Sequence, residues 1–166
     1  MTIKFVTTDN FEITDKLIDQ IVKFDYEIFL SDAYNINTWS SILKDHNKYY
    51  KQIIIDKNDN DNDNDNVIGL IIVSKNISEH GIENEYYYIY TLQISEEYRK
   101  MGLATKLLKD VLNLQDHKED HKEDYKNVIM SLDVDKDNYN AIKLYEKNGF
   151  KCVLENDEQY VYTINL

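Results

Sequence analysis

The segment Leu92–Thr105 constrains this chain more than any other part of its sequence. It begins as the apolar end of a strand, passes through the basic pair Arg99 and Lys100, and predicts a helix that opens at Gly102. The first amides of a helix have no partners inside it and lie at the positive end of its dipole, so they form an anion site. The turn lacks the lysine of a P-loop and the three-glycine spacing of a dinucleotide-binding turn. We therefore expect it to hold a pyrophosphate.

Two motifs resemble those of the GCN5-related N-acetyltransferase (GNAT) superfamily. Arg99–Ala104 reads R-x-x-G-x-A and resembles the coenzyme A turn of that family, R/Q-x-x-G-x-G/A. Asn138–Phe150 reads N-x-x-A-x-x-L-Y-x-x-x-G-F and is similar to a second family motif, in the family's order. The distinctive match covers Tyr86–Phe150. Within it, Tyr90–Leu112 looks most like the protein N-terminal (Nα) acetyltransferases.

Hydrophobic periodicity and turn residues predict an α/β order of elements, β-α-α-β-β-β-α-β-α-β-β. The predicted strands are Ile3–Thr7, Lys51–Asp56, Val67–Ser74, Tyr86–Ile94, Asn127–Val134, Lys151–Leu154 and Gln159–Asn165. The predicted helices are Ile13–Phe29, Asn37–Lys44, Leu103–Leu114 and Asp137–Asn148, with Asp137 as the N-cap of the last and Gly149 after its end. The resemblance implies the GNAT fold: a mixed central β-sheet of about seven strands with four helices, in which a splayed parallel strand pair binds coenzyme A.

The length of 166 residues predicts a single domain over residues 1–166. The Asn/Asp-rich stretch 57–66 favours neither helix nor strand and predicts a disordered loop between two strands. It superficially resembles a calcium loop but lacks the glycine and closing glutamate of an EF-hand. The repeated His-Lys-Glu-Asp within 116–125 predicts a charged, solvated insertion, with metal binding by His117 and His121 as the weaker alternative. We expect no metal.

Composition narrows the class of protein. A net charge of −12 disfavours a general nucleic-acid binder, and no apolar run approaches the roughly 20 residues of a membrane span. The N-terminus has no signal-peptide pattern, and a single cysteine, Cys152, predicts a reducing, cytoplasmic setting. Cys152 is expected in a strand rather than as a nucleophile. The acidity either draws in a cationic amine or only keeps the protein soluble.

The resemblance implies acetyl-CoA as cosubstrate. Backbone groups of the strand end would pair with the pantetheine amides, and the turn after it would hold the pyrophosphate. The residues implied to bind the cofactor are Leu92, Gln93, Ile94, Arg99, Lys100, Met101, Gly102, Leu103, Ala104, Thr105, Asn138 and Tyr145.

Tyr145 is implied as the general acid that protonates the coenzyme A sulfur, while Asn138 contacts the cofactor arm. The two residues lie two helical turns apart, so both can face one side. A phenol with a pKa of about 10 stays protonated yet stabilises a forming thiolate. The alternative is that Tyr145 simply packs beside Leu144 against the sheet.

The general base is less clear from the sequence. The position where many family members carry a Glu counts to Tyr88, which alternation places on one strand face with Tyr86 and Tyr90. Some N-terminal acetyltransferases use a Tyr there, paired through water with a His on the facing strand. Here the facing position counts to Asp133, which either is the base itself or holds a water. Packing of the rings as core is an equal alternative for Tyr86 and Tyr87.

Amine acidity favours one acceptor. An α-amine with a pKa of about 8 is partly neutral at physiological pH, whereas a lysine amine at about 10.4 is almost wholly protonated. A site with Tyr and ordered water and no evident Glu suits the α-amine better, and the resemblance to N-terminal acetyltransferases also implies a protein N-terminus as acceptor. Asp133 keeps a polyamine or other small-molecule or lysine amine open as the alternative. A non-catalytic acetyl-CoA-binding subunit is a second alternative, and a homodimer or a complex subunit is open. The residues implied to contact the acceptor are Phe29, Tyr34, Tyr90, Tyr160 and Tyr162.

Overall fold

The computed structural model describes residues 2–7, 12–57, 66–76, 86–113 and 128–166, and within them seven strands and four α-helices follow one another. In chain order they are β1 Thr2–Thr7, α1 Asp15–Phe29, α2 Ile36–Lys44, β2 Tyr49–Lys57, β3 Asn66–Asn76, β4 Tyr86–Ile94, α3 Leu103–Leu112, β5 Ile129–Asp135, α4 Tyr139–Lys147, β6 Lys151–Glu155 and β7 Gln159–Asn165. Short 3₁₀ helices occupy Leu30–Asp32 and Glu96–Tyr98. The predicted order of elements is confirmed.

The strands form one mixed sheet in the order β1-β2-β3-β4-β5-β7-β6. Strands β4 and β5 pair in parallel, whereas β1 with β2, β5 with β7 and β6 with β7 pair in antiparallel fashion. A long crossover that contains α3 joins β4 to β5, as a parallel connection requires. The predicted mixed α/β sheet is therefore confirmed.

The chain divides into two compact units, Met1–Ile72 with Thr91–Leu107, and Val73–Tyr90 with Leu108–Leu166. It passes from one unit to the other within β3, β4 and α3. The single domain expected from the length stays a prediction. The stretch 58–65 and the whole of 116–125 lie outside the described residues, as do His117 and His121.

In the first unit, α1 and α2 bury apolar stripes that recur at helical spacing. The fully or nearly fully buried side chains of these helices include Leu17, Ile18, Ile21, Phe24, Trp39, Ile42 and Leu43. Thr14 caps α1 by accepting from the Leu17 amide at 3.2 Å, and Asn35 caps α2 by accepting from the Thr38 amide at 3.0 Å. The buried Lys51 donates its Nζ to the carbonyl oxygens of Leu43 and Asp45 at 3.0 and 2.7 Å, and so satisfies acceptors at the end of α2.

In the second unit, α4 begins one residue later than expected. The predicted N-cap Asp137 was wrong: Asn138 is the cap, and its Oδ1 accepts from the Ala141 amide at 3.2 Å. Asp137 instead lies in the turn after β5, where its carbonyl accepts from the Tyr139 amide at 2.9 Å. Asp and Asn are equally good caps, so composition alone could not choose between adjacent residues. Gly149 has φ +94 just after the helix, which confirms its predicted role.

Strand β6 lies at one edge of the sheet, and all five of its residues are exposed. Cys152 is among them, in the strand where it was expected. The ladder between β6 and β7 shifts register between Cys152 and Leu154, which is a β-bulge or irregularity. Val153 therefore has no regular partner position on β7.

Among the described helices, none combines the length and the apolar character needed to cross a bilayer. In the same described parts of the chain, no group of three or more His, Cys, Asp and Glu side chains is placed to hold a metal ion.

Candidate active site

The turn between β4 and α3 contains two left-handed residues. Lys100 has φ +64 and Gly102 has φ +80, and α3 begins directly afterwards at Leu103. A left-handed conformation costs a side-chain-bearing residue such as Lys100 about 1–2 kcal/mol, whereas glycine adopts it freely. Such strain persists only where the surrounding structure holds it, and it clusters at functional sites.

Hydrogen bonds to the neighbouring strands hold this turn in place. The Ser95 amide donates to the Ile68 carbonyl at 2.8 Å, and Arg99 Nε donates to the Ile94 carbonyl at 3.2 Å. The Tyr98 hydroxyl donates to Asp56 Oδ2 at 2.7 Å, and this hydrogen bond is the main reason why the pKa of Tyr98 is raised. The turn is thus fixed before any ligand arrives.

The same turn fits an anion. The Lys106 amide donates to the Gly102 carbonyl at 3.0 Å, so the helix closes its first hydrogen bond there and its leading amides point out of it. A Cβ built on Gly102 would meet no atom within 4 Å, so the space over the glycine is open. Residues 99–102 are exposed, whereas the Leu103 side chain is buried. Main-chain amides and the two cations of this turn can therefore hold a diphosphate.

Strand β4 has two different faces, as the predicted alternation requires. Tyr87, Ile89 and Gln93 are each 4% exposed, whereas Tyr86 and Tyr88 are more accessible. The Gln93 side chain donates its Nε2 to Asp25 Oδ1 at 2.8 Å inside the first unit. Any contact of Gln93 with a ligand is therefore left to its main chain.

The parallel ladder of the second unit is short. It joins Tyr86–Tyr88 to Ile129–Ser131, although β4 continues to Ile94 and β5 to Asp135. Strand β5 pairs with β7 along its whole length, from Ile129 to Asp135. The early end of the ladder agrees with the splayed parallel pair that the resemblance implies.

Tyr88 forms a hydrogen-bonded pair with Asp133. Ser131 is the direct register partner of Tyr88, so the predicted facing position of Asp133 is two residues too far along β5, because strand spacing alone does not fix register. The Tyr88 ring nevertheless reaches Asp133, since the two alternate onto one face. Burial first, and then the Asp133 carboxylate with its hydrogen bond, raise the pKa of Tyr88 to about 12. Tyr86 is hydrogen-bonded to Ser131 beside this pair.

Tyr145 is close enough to Tyr88 for the two phenols to interact electrostatically. Its side chain is 7% exposed and meets the Phe150 ring edge-to-face, with 5.7 Å between centroids. Burial is the main cause that raises the pKa of Tyr145 to about 12, and the nearby Tyr88 hydroxyl adds to it. The structure thus brings together the three predicted catalytic residues, Tyr145, Tyr88 and Asp133. Asn138 is exposed at the start of α4, where its side-chain oxygen serves as the cap.

The predicted acceptor residues fall in both units. Phe29, the last residue of α1, is 45% exposed. Tyr34 is 37% exposed and lines a cavity of about 490 Å³. Tyr90 and Tyr160 are half-buried in the second unit. Tyr162 is only 3% exposed and donates its hydroxyl to Glu146 Oε1 at 2.9 Å, so its side chain supports α4, which argues against contact with an acceptor.

Sequence reasoning missed two polar residues of the first unit. Asp25 is 1% exposed on α1, and Asp56 on β2 holds Tyr98. The burial of Asp25 could have been predicted, because Asp25 falls on the buried face of the helical pattern set by Ile18 and Ile21. The contact of Asp56 could not have been predicted, since its partner Tyr98 lies far along the chain.

Comparison with known proteins identifies the family and the fold. The model of the Acetyltransferase (GNAT) family matches residues 16–150. A search of curated proteins found no match. Among solved structures, NAA60 from Arabidopsis thaliana in complex with a bisubstrate analogue has a TM-score of 0.75 at 19% identity, over 99% of this chain and 98% of that one. The NatC complex bound to Gag peptide and CoA has a TM-score of 0.73 at 19% identity, over 100% of this chain and 99% of that one.

Naa50 from Arabidopsis thaliana, in complex with the bisubstrate analogue CoA-Ac-MVNAL, gives a TM-score of 0.67 at 20% identity over 100% of both chains. At these identities the likeness shows the fold. The fold and the family match define an acetyl-CoA-dependent N-acetyltransferase. The chain belongs to the GNAT family of acetyltransferases.

We expect the raised pKa of Tyr145 to appear as a pH dependence of stability. The pKa of a free phenol is about 10, and that of Tyr145 in the folded protein is about 12. The stabilisation that comes from this difference is therefore fully present below pH 10 and is lost as the pH rises toward 12. Urea titrations at pH 9, 10 and 11 should show a free energy of unfolding that falls more steeply above pH 10, by about 1 kcal/mol per pH unit, in the wild type than in Tyr145→Phe. Tyr139→Phe, an exposed position on the same helix, should keep the wild-type slope. Equal slopes for wild type and Tyr145→Phe would contradict the assignment.

The anion turn predicts a specific loss of affinity in Gly102→Ala. Alanine is strained at φ +80, and its methyl group enters the open space over the turn, so we expect acetyl-CoA to bind about tenfold more weakly by calorimetry. Gly149→Ala is the matched control, because Gly149 has a comparable φ of +94 at the end of α4. Both variants should melt at lower temperature, but only Gly102→Ala should lose affinity. Parallel losses of affinity would show that strain alone is responsible.

Proposed function

We propose that this acetyltransferase modifies the α-amino group of protein N-termini. The observation that carries the proposal is the pair of Tyr88 and Asp133: a phenol with a pKa of about 12 hydrogen-bonded to an exposed carboxylate. A phenol this weakly acidic is protonated at neutral pH, so it can orient the carboxylate but cannot take a proton from a charged amine. Such a site suits an acceptor that is already partly neutral, as an α-amine with a pKa of about 8 is.

Two further observations support a peptide acceptor. The exposed side chains of Leu30 and Tyr34 line the cavity, and the exposed Phe29 directly precedes Leu30 in the chain. Solved structures that share the fold include Naa50 with the analogue CoA-Ac-MVNAL and the NatC complex with a peptide. We carry that acceptor class over to this chain as part of the proposal.

The residues divide the chemistry between them. Acetyl-CoA supplies the acetyl group as a thioester, and the turn of residues 99–105 holds its diphosphate. Asp133 takes the proton of the attacking amine, directly or through a water, while the Tyr88 hydroxyl orients the carboxylate. Tyr145 donates its proton to the departing sulfur as the carbon–sulfur bond breaks. The Tyr145 phenolate formed in this step is reprotonated from solvent before the next turnover, and the proton held by Asp133 is released to solvent.

A polyamine is the second candidate acceptor. A net charge of −12 attracts a small polycation, and Asp133 presents a carboxylate at the site. A non-catalytic acetyl-CoA-binding subunit is less well supported, since simple binding needs no buried phenol beside Tyr88. A cytoplasmic location, and assembly as a homodimer or with a partner subunit as in the NatC complex, also belong to the proposal.

Initial rates with a panel of acceptors test the acceptor class. We expect acetyl-CoA consumption to be fastest with short peptides that have a free N-terminus. The same peptides with a blocked N-terminus and an internal lysine should react at least ten times more slowly, as should spermidine. Mass spectrometry of the product locates the acetyl group. Faster turnover of spermidine would replace the proposed acceptor, and no turnover with any amine would favour the non-catalytic alternative.

Tyr145→Phe tests the proposed acid. We expect kcat to fall by about a hundredfold, a typical contribution of general acid catalysis, with the Kd for acetyl-CoA within about threefold of wild type. Tyr139→Phe on the same helix should retain both values, because Tyr139 is exposed and 69% accessible. A Tyr145→Phe protein that turns over normally would remove Tyr145 from the mechanism and leave it a packing residue.

A further inference from the structure

Asp25 is a buried carboxylate on α1 that accepts three hydrogen bonds from three separate segments. Its Oδ2 accepts from the Tyr34 amide at 2.8 Å and from Trp39 Nε1 at 2.9 Å. Its Oδ1 accepts from Gln93 Nε2 at 2.8 Å. The residue is 1% exposed. All four residues belong to the first unit.

A carboxylate is costly to bury, and the three donors described for Asp25 are all neutral. Burial of an unpaired carboxylate costs several kcal/mol, and hydrogen bonds to it recover part of that cost. A Leu or an Ile would fill the same position on the apolar face of α1 without such a cost. The acidic residue at this position therefore has a use beyond packing, and its partners indicate which.

The three hydrogen bonds tie a strained surface loop to the sheet. The loop of residues 30–35 begins at Leu30, whose φ of +53 is left-handed and unfavourable for a residue other than glycine. It carries exposed side chains, with Leu30 at 63% and Tyr34 at 37%, and Tyr34 also packs edge-to-face on Trp39 with 5.9 Å between ring centroids. Asp25 holds the main chain of this loop at Tyr34 and, through Gln93, attaches it to β4.

We propose that Asp25 is a positioning residue for the acceptor. It fixes the loop of residues 30–35, with Phe29 before it, at a set distance from Gln93 near the end of β4. The inference rests on the proposed function in one respect, namely that this loop contacts the acceptor. Asp25 itself is buried and touches neither substrate.

The proposal predicts a selective effect on the acceptor. In Asp25→Ala the Tyr34 amide and Trp39 Nε1 lose this acceptor, and Gln93 Nε2 keeps only its hydrogen bond to Thr91 Oγ1 at 2.8 Å, so the loop loses its attachment to β4 through Asp25. We expect the KM for the best amine of the panel to rise about tenfold, while the Kd for acetyl-CoA and the kcat at saturating acceptor change by less than about threefold. If Asp25→Ala proves insoluble, Trp39→Phe removes one donor alone and should raise the acceptor KM about threefold with the same selectivity.

Asp25→Asn is the conservative variant. The Asn Oδ1 can still accept from Tyr34 and Trp39, and its Nδ2 can donate to Gln93 once that amide turns over, since the buried Gln93 Oε1 has no partner in the described structure. We expect Asp25→Asn to restore the acceptor KM to within about threefold of wild type. Glu27→Gln, an exposed charge removal on the same helix, is the matched control and should leave all constants unchanged.

The outcomes separate the two proposals. If the wild type prefers an amine other than a peptide N-terminus, the acceptor class is wrong, but the Asp25 variants can still be measured with that amine. A folded Asp25→Ala protein with a wild-type acceptor KM would overturn the positioning role. So would an equal loss of acetyl-CoA affinity, or an Asn variant as impaired as the Ala variant, because either result assigns the effect to general stability or to charge.

Discussion

The strict alternation of side chains along β4 is the constraint that decides which of its residues are buried and which are accessible. One face of the strand is buried and supplies Tyr87, Ile89 and Gln93 to the interior. The other face presents Tyr88 to Asp133. Because each side chain can point to only one face, the residues that pack in the interior are kept apart from Tyr88, which forms a hydrogen bond with Asp133. A shift in the register of β4 by one residue would exchange its buried and its accessible face and would remove the pairing of Tyr88 with Asp133.

Burial raises the pKa of Tyr88 and of Tyr145, which suits a proton donor and not a base. Both Tyr88 and Tyr145 have a pKa of about 12, chiefly because the phenolate is poorly solvated where they lie. A phenol held neutral in this way can donate to a carboxylate or to a forming thiolate over the whole physiological range. In the proposed mechanism proton removal therefore falls to Asp133, and the sequence could not separate the two roles because a Tyr and an Asp in alternating positions fit either assignment.

Local sequence patterns were sufficient to predict the helices, the strands and the β4–α3 turn, but not the tertiary contacts. Helical spacing in α1 and the glycine of the β4–α3 turn were readable because their causes lie within a few residues. The choice of Asn138 over Asp137 as a cap depends on how the chain leaves β5, and the pairing of Tyr88 with Ser131 depends on register. Asp25 is the extreme case, since its partner Gln93 is distant in sequence and only folding brings the two together.

The irregularity in β6 has a consequence for the protein at high concentration. An outer strand with Val153 and Leu154 at 59% and 58% accessibility is an edge to which a strand of a neighbouring molecule can add. Growth of a sheet from one molecule to the next requires evenly spaced donors and acceptors. The shift between Cys152 and Leu154 interrupts that spacing in the middle of a five-residue strand, so a foreign strand finds no continuous template. The register shift thereby works against strand addition at an edge that carries no proline and two apolar side chains.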